Sequence, residues 1–221
     1  MENGQVKAVI FDLDGTLIDS APDIRKIANE VLAGEGRAAV TLAETRGFIG
    51  SGAAAFVSRM MAARDLPKAD HPRLLEQFVA RYEGAVDLSR LYDGAIEVLE
   101  GLKNAGFALG LCTNKPIAPT HSVLKHFEID GYFGAVLGGD SLPERKPHPA
   151  PLLETGRLLG ASQVLYVGDS EVDAETAQAA GVPFALFTEG YRKGPVADMP
   201  HDHAFSRLAD LPAIIDAVFQ S

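Results

Sequence analysis

The stretch AVIFDLDGTLIDS, residues 8–20, decides how the rest of the chain is read. An apolar run ends in two acids, Asp12 and Asp14, and a glycine follows at once. In extended backbone, residues two apart face the same way, so both carboxylates can reach one site at the end of a strand. Two acids that close repel each other, which raises the pKa of one unless a cation intervenes. One can then attack or bind metal while the other holds a proton for transfer. A solvated turn is the plain alternative, because Asp and Gly are common after strands. A calcium loop is excluded: Ile10 would stand at its first ligand position, Ala21 at the bidentate one, and a strand precedes where a helix is needed.

Working outward, further short apolar runs end in Gly, Asp, Thr or Asn. They are VKAVIF before Asp12, FALGLC before Thr113, GAVLGG before Asp140, QVLYV before Gly168 and PFALF before Thr188. Each reads as a buried parallel strand. Helical patterns separate them, with Ile96, Leu99 and Leu102 between Asp93 and Ala105, and Leu152, Leu153 and Leu158 between Ala150 and Leu159. This alternation predicts an α/β fold, a Rossmann-like parallel sheet flanked by helices. Residues 19–88 break it. They hold no convincing strand and are far too long for a strand-to-helix loop, so they are expected to form an inserted α-helical cap, with 1–18 and 89–221 as the core. Its first helix is expected to open with Ser20 and Asp23 in capping-box spacing and to bury Ile24, Ile27, Ala28, Val31 and Leu32. A later one is expected to bury Leu75, Phe78, Val79, Tyr82 and Val86.

The chain has 221 residues, 47% hydrophobic and 23% charged, which suits an ordinary globule with a packed core. A net charge of -10 argues against nucleic acid as a partner, since a phosphate backbone is held by surplus Lys and Arg. A small phosphorylated ligand is not excluded, because a local Lys, helix N-termini and a divalent cation can neutralise it. Cys112 is the single cysteine, so no intrachain disulfide forms. The opening MENGQVKAVIF lacks a leader pattern, and no apolar stretch approaches the ~20 residues that span a bilayer. No membrane association and a cytoplasmic location are expected.

In an open α/β sheet, ligands bind beyond the carboxyl ends of the strands, where the polar residues collect. YVGDSEVD puts Asp169 after an apolar run and Asp173 in the first turn of the next helix; as a lone residue, Asp173 could equally be a charge favoured by the helix dipole. Together with Asp12 and Asp14 these supply oxygens for a hard cation such as Mg²⁺. Thr113 and Asn114 offer a hydroxyl, an amide and backbone N–H groups to an anion. Lys146, hemmed by prolines in PERKPHPA, could aim an ammonium inward, although a lone loop lysine is ordinarily solvated. Buried Cys112 is expected to be inert and His148 structural, while His121 and His126 are poorly spaced for a shared metal.

DLDGT at 12–16, the run ending in Thr113, Lys146 after a further strand, and GDSEVD at 168–173 together resemble the four motifs of the haloacid dehalogenase superfamily. The helical insertion resembles that superfamily's first type of cap. The resemblance implies that Asp12 is the nucleophile, forming an aspartyl-phosphate. Asp14 would protonate the leaving group and then activate water. Mg²⁺ would be held by Asp12, the backbone carbonyl of Asp14 and Asp169, with Asp173 in support. Thr113, Asn114 and Lys146 would bind the phosphoryl oxygens.

Within the superfamily, Asp14 favours phosphoryl chemistry, because a departing halide needs no acid. β-Phosphoglucomutase-like phosphomutases carry a His and an aromatic residue early in the cap, and APDIRKIANEVL has neither. A phosphonatase needs a cap lysine, and Lys26 and Lys68 read as solvated charges. The closest resemblance is to bacterial phosphoglycolate phosphatases, through KPHPAPLLETGRLLG, YVGDSEVDAETAQAAGVPFALFTEGYR and HAFSRLADLP. Phosphatases of sugar phosphates, N-acetylmuramate 6-phosphate or pyrophosphate share much of these stretches, and a catalytically silent binding domain is the non-enzyme alternative. In the flexible cap loop ETRGFIGSG, residues 44–52, Arg46 and Gly50 are expected to contact the substrate, with Arg46 meeting its carboxylate. The expected assembly is a monomer or homodimer acting on a small phosphorylated metabolite.

Overall fold

A computed structural model describes residues 5–220. The opening residues 1–4, on which part of the leader reading rests, lie outside the described residues. Strands β1 (Lys7–Phe11), β4 (Ala108–Cys112), β5 (Ala135–Leu137), β6 (Gln163–Gly168), β7 (Phe184–Phe187) and β8 (His203–Phe205) form one sheet in the order β5-β4-β1-β6-β7-β8. Every neighbouring pair in it is parallel. Alternation along β1 divides the core between the two faces of the sheet. Val9 and Phe11 pack with Leu99 and Leu102 of α5 (Ala95–Asn104), Leu124 of α6 (Ile117–His126) and Ile215 of α9 (Leu211–Phe219). Ile10 faces the other way, toward Leu152 of α7 (Ala150–Leu158) and Ala174 and Ala177 of α8 (Glu171–Ala180). Helices on both faces explain why these strands read as continuous apolar runs.

Between β1 and α5 lie four helices: α1 (Ala21–Gly34), α2 (Leu42–Phe48), α3 (Ala53–Ala62) and α4 (His71–Tyr82). They share a separate cluster of buried side chains that includes Ile24, Leu32, Phe56, Met60, Leu74 and Phe78. The chain leaves and re-enters this unit side by side, as a short antiparallel pair of β2 (Ile18–Asp19) with β3 (Arg90–Leu91). Among the described residues, no helix is long and apolar enough to cross a membrane.

Several local expectations need correction. Ser20 and Asp23 form no capping box: the Ser20 side chain makes no capping bond at α1, and Asp23 accepts from the N–H groups of Leu88 and Ser89 and from Ser89 Oγ. Asp23 thereby fastens the two ends of the helical unit together, which a local spacing rule cannot foresee. On α4 the buried face is Leu74, Phe78 and Tyr82, one residue round from Leu75 and Val79. Val86 lies beyond the helix end and packs on the sheet-side core. Ile96, Leu153 and Leu158 are exposed, because the inward faces of their helices are completed by small residues such as Ala95 and Gly156. Strand β8 is only three residues long, too short for its alternation to register in the sequence.

Candidate active site

Because β1 lies between β4 and β6, and all three run parallel, their carboxyl ends bring Asp12, Thr113 and Asp169 side by side. Asp12 N–H still donates to Val167 O at 2.9 Å, so its backbone continues the ladder while its side chain leaves the sheet edge. Gly15 then turns the chain with φ +94°, and a Cβ there would collide with the Asp169 carboxylate. Glycine at this position lets the two acidic loops approach.

Asp12, Asp169 and Asp173 are all buried, and one carboxylate oxygen from each lies within 4.8 Å of the others. Lys146 Nζ, also buried, sits 3.0 Å from Asp12 Oδ1 and 2.7 Å from Asp173 Oδ1, and it donates to Tyr166 Oη at 2.8 Å. The three acids are not equivalent. Asp173 is saturated: Oδ1 meets Lys146 and the Tyr166 hydroxyl, and Oδ2 accepts from the N–H groups of Asp169 and Ser170 and from Ser170 Oγ. It also completes a capping box with Ser170 at the start of α8, so its first-turn position and its contact with Lys146 are one arrangement. Asp169 accepts from Thr16 Oγ1 at 2.9 Å and from Tyr191 N–H at 2.5 Å. Asp12 Oδ1 has an ion-pair neighbour in Lys146 but no aligned hydrogen bond.

These surroundings set the charge states. Burial, and to a lesser degree Asp173, pushes the Asp12 carboxyl up to about 7 against the pull of Lys146. Burial and the neighbouring acids raise Asp169 well above the usual carboxylate range. Asp173 goes the other way: burial opposes its ionisation, but Lys146 and the hydroxyls of Ser170 and Tyr166 hold it below the usual range. Asp12 and Asp169 face each other as a strained pair, and a divalent cation would relieve them.

Asp14 faces a second group of residues. Its Oδ1 accepts from Ser20 Oγ at 2.5 Å and from Lys115 Nζ at 3.2 Å. The Lys115 ammonium also donates to Tyr82 Oη at 2.8 Å and lies 4.2 Å from the centroid of that ring. Burial would favour the neutral amine, but Asp14 and Tyr82 outweigh it and hold the lysine above its ordinary pKa. Asp12, Asp14, Thr113, Asn114 and Lys115 line a cleft with Ile24, Ile49, Phe56, Phe78 and Tyr82 of the helical unit. The space within it is about 440 Å³, part of it open to solvent.

Other expected site residues stand differently. The Asn114 amide donates to Gly50 O and Lys146 O, both at 3.0 Å, so its N–H groups bind backbone and are not available to a phosphoryl group. Gly50 is thereby tied to the sheet edge, with φ +112°. Arg46 does not line the cleft: its guanidinium pairs with Asp19 at 2.9 Å and lies over the Tyr191 ring. The Cys112 thiol is buried and pushed up to about 12, as befits an inert side chain. His148 Nδ1 accepts from Ala150 N–H within its own turn, and the His126 ring packs edge-on to Phe127. Ser20, Tyr82, Lys115, Tyr166 and Tyr191 escaped the sequence reading. For Lys115 a signal existed, since it directly follows Thr113 and Asn114 at a strand end.

The sequence profile described as haloacid dehalogenase-like hydrolase matches residues 9–187, from β1 to β7. The chain belongs to the haloacid dehalogenase-like hydrolase family. A protein of Cereibacter sphaeroides named phosphoglycolate phosphatase is 50% identical over 210 residues, 94% of this chain and 96% of that protein. One of Rhodobacter capsulatus with the same name is 44% identical over 211 residues, 95% of this chain and 96% of its own length. A crystal structure described as a predicted phosphoglycolate phosphatase of Haemophilus somnus superposes with a TM-score of 0.88 at 36% identity, covering 96% of this chain and 99% of that one.

For a haloacid dehalogenase-like hydrolase the acidic cluster is a reasonable cation site. The donors are hard oxygens, and the unbonded Asp12 Oδ1 is a buried acceptor without its hydrogen bond. A stability test follows from the sign of the shifts. With Asp12 raised from 3.8 to about 7, and Asp169 also raised, the metal-free folded protein binds more protons than the unfolded chain from the ordinary carboxyl range upward through about 7. Their contribution to stability is therefore complete below that window and falls as pH rises through it. Mg²⁺ should raise the melting temperature more at about pH 8 than at about pH 5. Equal shifts at both pH values, measured by calorimetry, would contradict the cluster as a cation site.

Proposed function

We propose that the chain is a Mg²⁺-dependent phosphatase that hydrolyses 2-phosphoglycolate to glycolate and phosphate. The observation that carries the chemistry is the Asp12 carboxylate: buried, with Oδ1 3.0 Å from the Lys146 ammonium, in a cleft shared with Asp14. The substrate reading draws on the names of relatives that match nearly the whole chain.

An Asp12 oxygen attacks phosphorus, the ester P–O bond breaks, and Asp14 gives its proton to the leaving oxygen. Asp14 then takes a proton from water as the water oxygen attacks the phosphoryl group, which frees the Asp12 carboxylate and inorganic phosphate. Mg²⁺ bound by Asp12, Asp169 and the Asp14 backbone carbonyl would offset the negative charge of the phosphate. Lys146 supplies further positive charge, and Asp173 orients Lys146 from behind. Thr113 lines the cleft with Asp12, and its hydroxyl, which accepts from Lys115 N–H at 3.2 Å, would donate to a phosphoryl oxygen.

Residues 19–88 act as the cap over this edge. The Asn114–Gly50 and Lys115–Tyr82 hydrogen bonds are the latches that draw it to the core. Kinetics across 2-phosphoglycolate, sugar phosphates, N-acetylmuramate 6-phosphate and pyrophosphate test the reading. The expected result is a kcat/KM for 2-phosphoglycolate at least ~10-fold above any other, a margin worth only one good charged contact. A higher value for a sugar phosphate overturns the substrate, and no Mg²⁺-dependent phosphate release from any of them overturns the enzyme.

A further inference from the structure

We propose that Lys115, oriented by Tyr82, is the receptor for the carboxylate of the leaving group and so determines specificity for a substrate with an acid next to the scissile ester. The inference rests on the phosphoglycolate reading above and names the residue that enforces it.

Three observations converge on Lys115. It is a buried cation lining the cleft between the acids and the helical unit, whereas Lys193, which lines the adjoining space with Asp12 and Asp14, is exposed. Arg46, the cation suggested by sequence, is engaged by Asp19 outside it. The second observation is valence. An ammonium has three N–H donors. Their acceptors are Asp14 Oδ1 at 3.2 Å, Asp14 Oδ2 at 3.4 Å and Tyr82 Oη at 2.8 Å. The Asp14 Oδ2 contact is the longest of the three, and protonation of Asp14, which its role as the acid requires, weakens it further. A buried charged donor is costly to leave unmatched, so an incoming acceptor is favoured there.

The third observation is distance. As the proton donor, Asp14 must hydrogen-bond the leaving oxygen. In glycolate the carboxyl carbon is two bonds from that oxygen, so a carboxylate on the adjacent carbon lies within reach of the neighbour of Asp14, which is Lys115. The surrounding side chains of Ile24, Ile49, Phe56 and Phe78 offer no competing hydrogen bond. A leaving group without an acid would leave that donor only its long contact with Asp14 Oδ2. A site built around a polar partner rejects the analogue that lacks it more strongly than an apolar pocket rejects a missing methylene.

A competing role is that Lys115 merely positions Asp14. The two separate in a ratio, the kcat/KM for 2-phosphoglycolate divided by that for ethyl phosphate, which has the same ester but no carboxylate. If Lys115 binds the carboxylate, Lys115→Met lowers this ratio by about 10- to 100-fold, mostly through KM for phosphoglycolate, and Lys115→Arg restores part of it. Tyr82→Phe, which leaves the lysine in place but frees its direction, lowers the ratio by a smaller factor and guards against a Lys115→Met protein that does not fold. Equal losses on both substrates, with the ratio unchanged in all three variants, overturn the proposal while the phosphoglycolate reading stands. A wild-type ratio near unity overturns both.

Discussion

Asp12→Asn is expected to abolish phosphate release, with kcat reduced at least ~10³-fold on every phosphomonoester, because loss of a covalent nucleophile leaves only binding and electrostatics. The substitution is nearly isosteric, so the effect is chemical. An amide oxygen is a poor nucleophile and carries no charge for a cation. Folding should not suffer. Asp12 is one of three buried acids around a single ammonium, and its carboxyl is already pushed up to about 7 by burial. Removing its charge lessens the repulsion with Asp169 and Asp173 but leaves Lys146 paired to Asp173 at 2.7 Å. The metal-free variant should therefore melt no lower than wild type near neutral pH. Activity within tenfold of wild type in a folded variant would remove Asp12 from the chemistry.

Asp14→Asn is expected to discriminate between leaving groups. With 2-phosphoglycolate the alkoxide must be protonated as it departs, so the first step should slow by roughly 10²- to 10⁴-fold, the usual worth of a positioned acid. With p-nitrophenyl phosphate the departing phenolate is stable, so that step should proceed while the second, which needs a base for water, remains slow. Cation affinity should largely persist, since the proposed ligand from Asp14 is its backbone carbonyl. Ser20 and Lys115 can hydrogen-bond an asparagine oxygen in the same place, which keeps the geometry comparable. Equal rates for mutant and wild type on an alkyl phosphate would contradict the acid assignment.

What was legible in sequence depended on distance along the chain. An apolar run followed by a polar residue marks a strand and its end together, so the ends of β1, β4 and β6 could be read from local pattern, and the sheet order then brings them together. Lys146 and Asp173 were legible as residue types but not as a bonded pair, which joins residues from separate loops. Lys115 follows Thr113 and Asn114 at a strand end, but its contact with Tyr82 comes from a different unit of the fold and leaves no local trace. Ser20 looked like a helix cap because S-x-x-D is a local signal, yet the turn at Gly15 returns the chain so that Ser20 reaches Asp14 first. Arg46 misled for the opposite reason. A basic residue beside glycines looks like part of a free loop, but Arg46 lies in the last turn of α2, where Asp19, at the exit to the helical unit, captures it. In each case the missing information was a contact between segments.

The covalent role of Asp12 can be tested most directly in the Asp14→Asn protein with p-nitrophenyl phosphate. A burst of nitrophenolate equal to the enzyme present should precede slow turnover, and acid quenching during that turnover should give a hydroxylamine-labile phosphoryl group on the peptide that contains Asp12. No burst together with no protein-bound phosphate, or a label on any other residue, would contradict it.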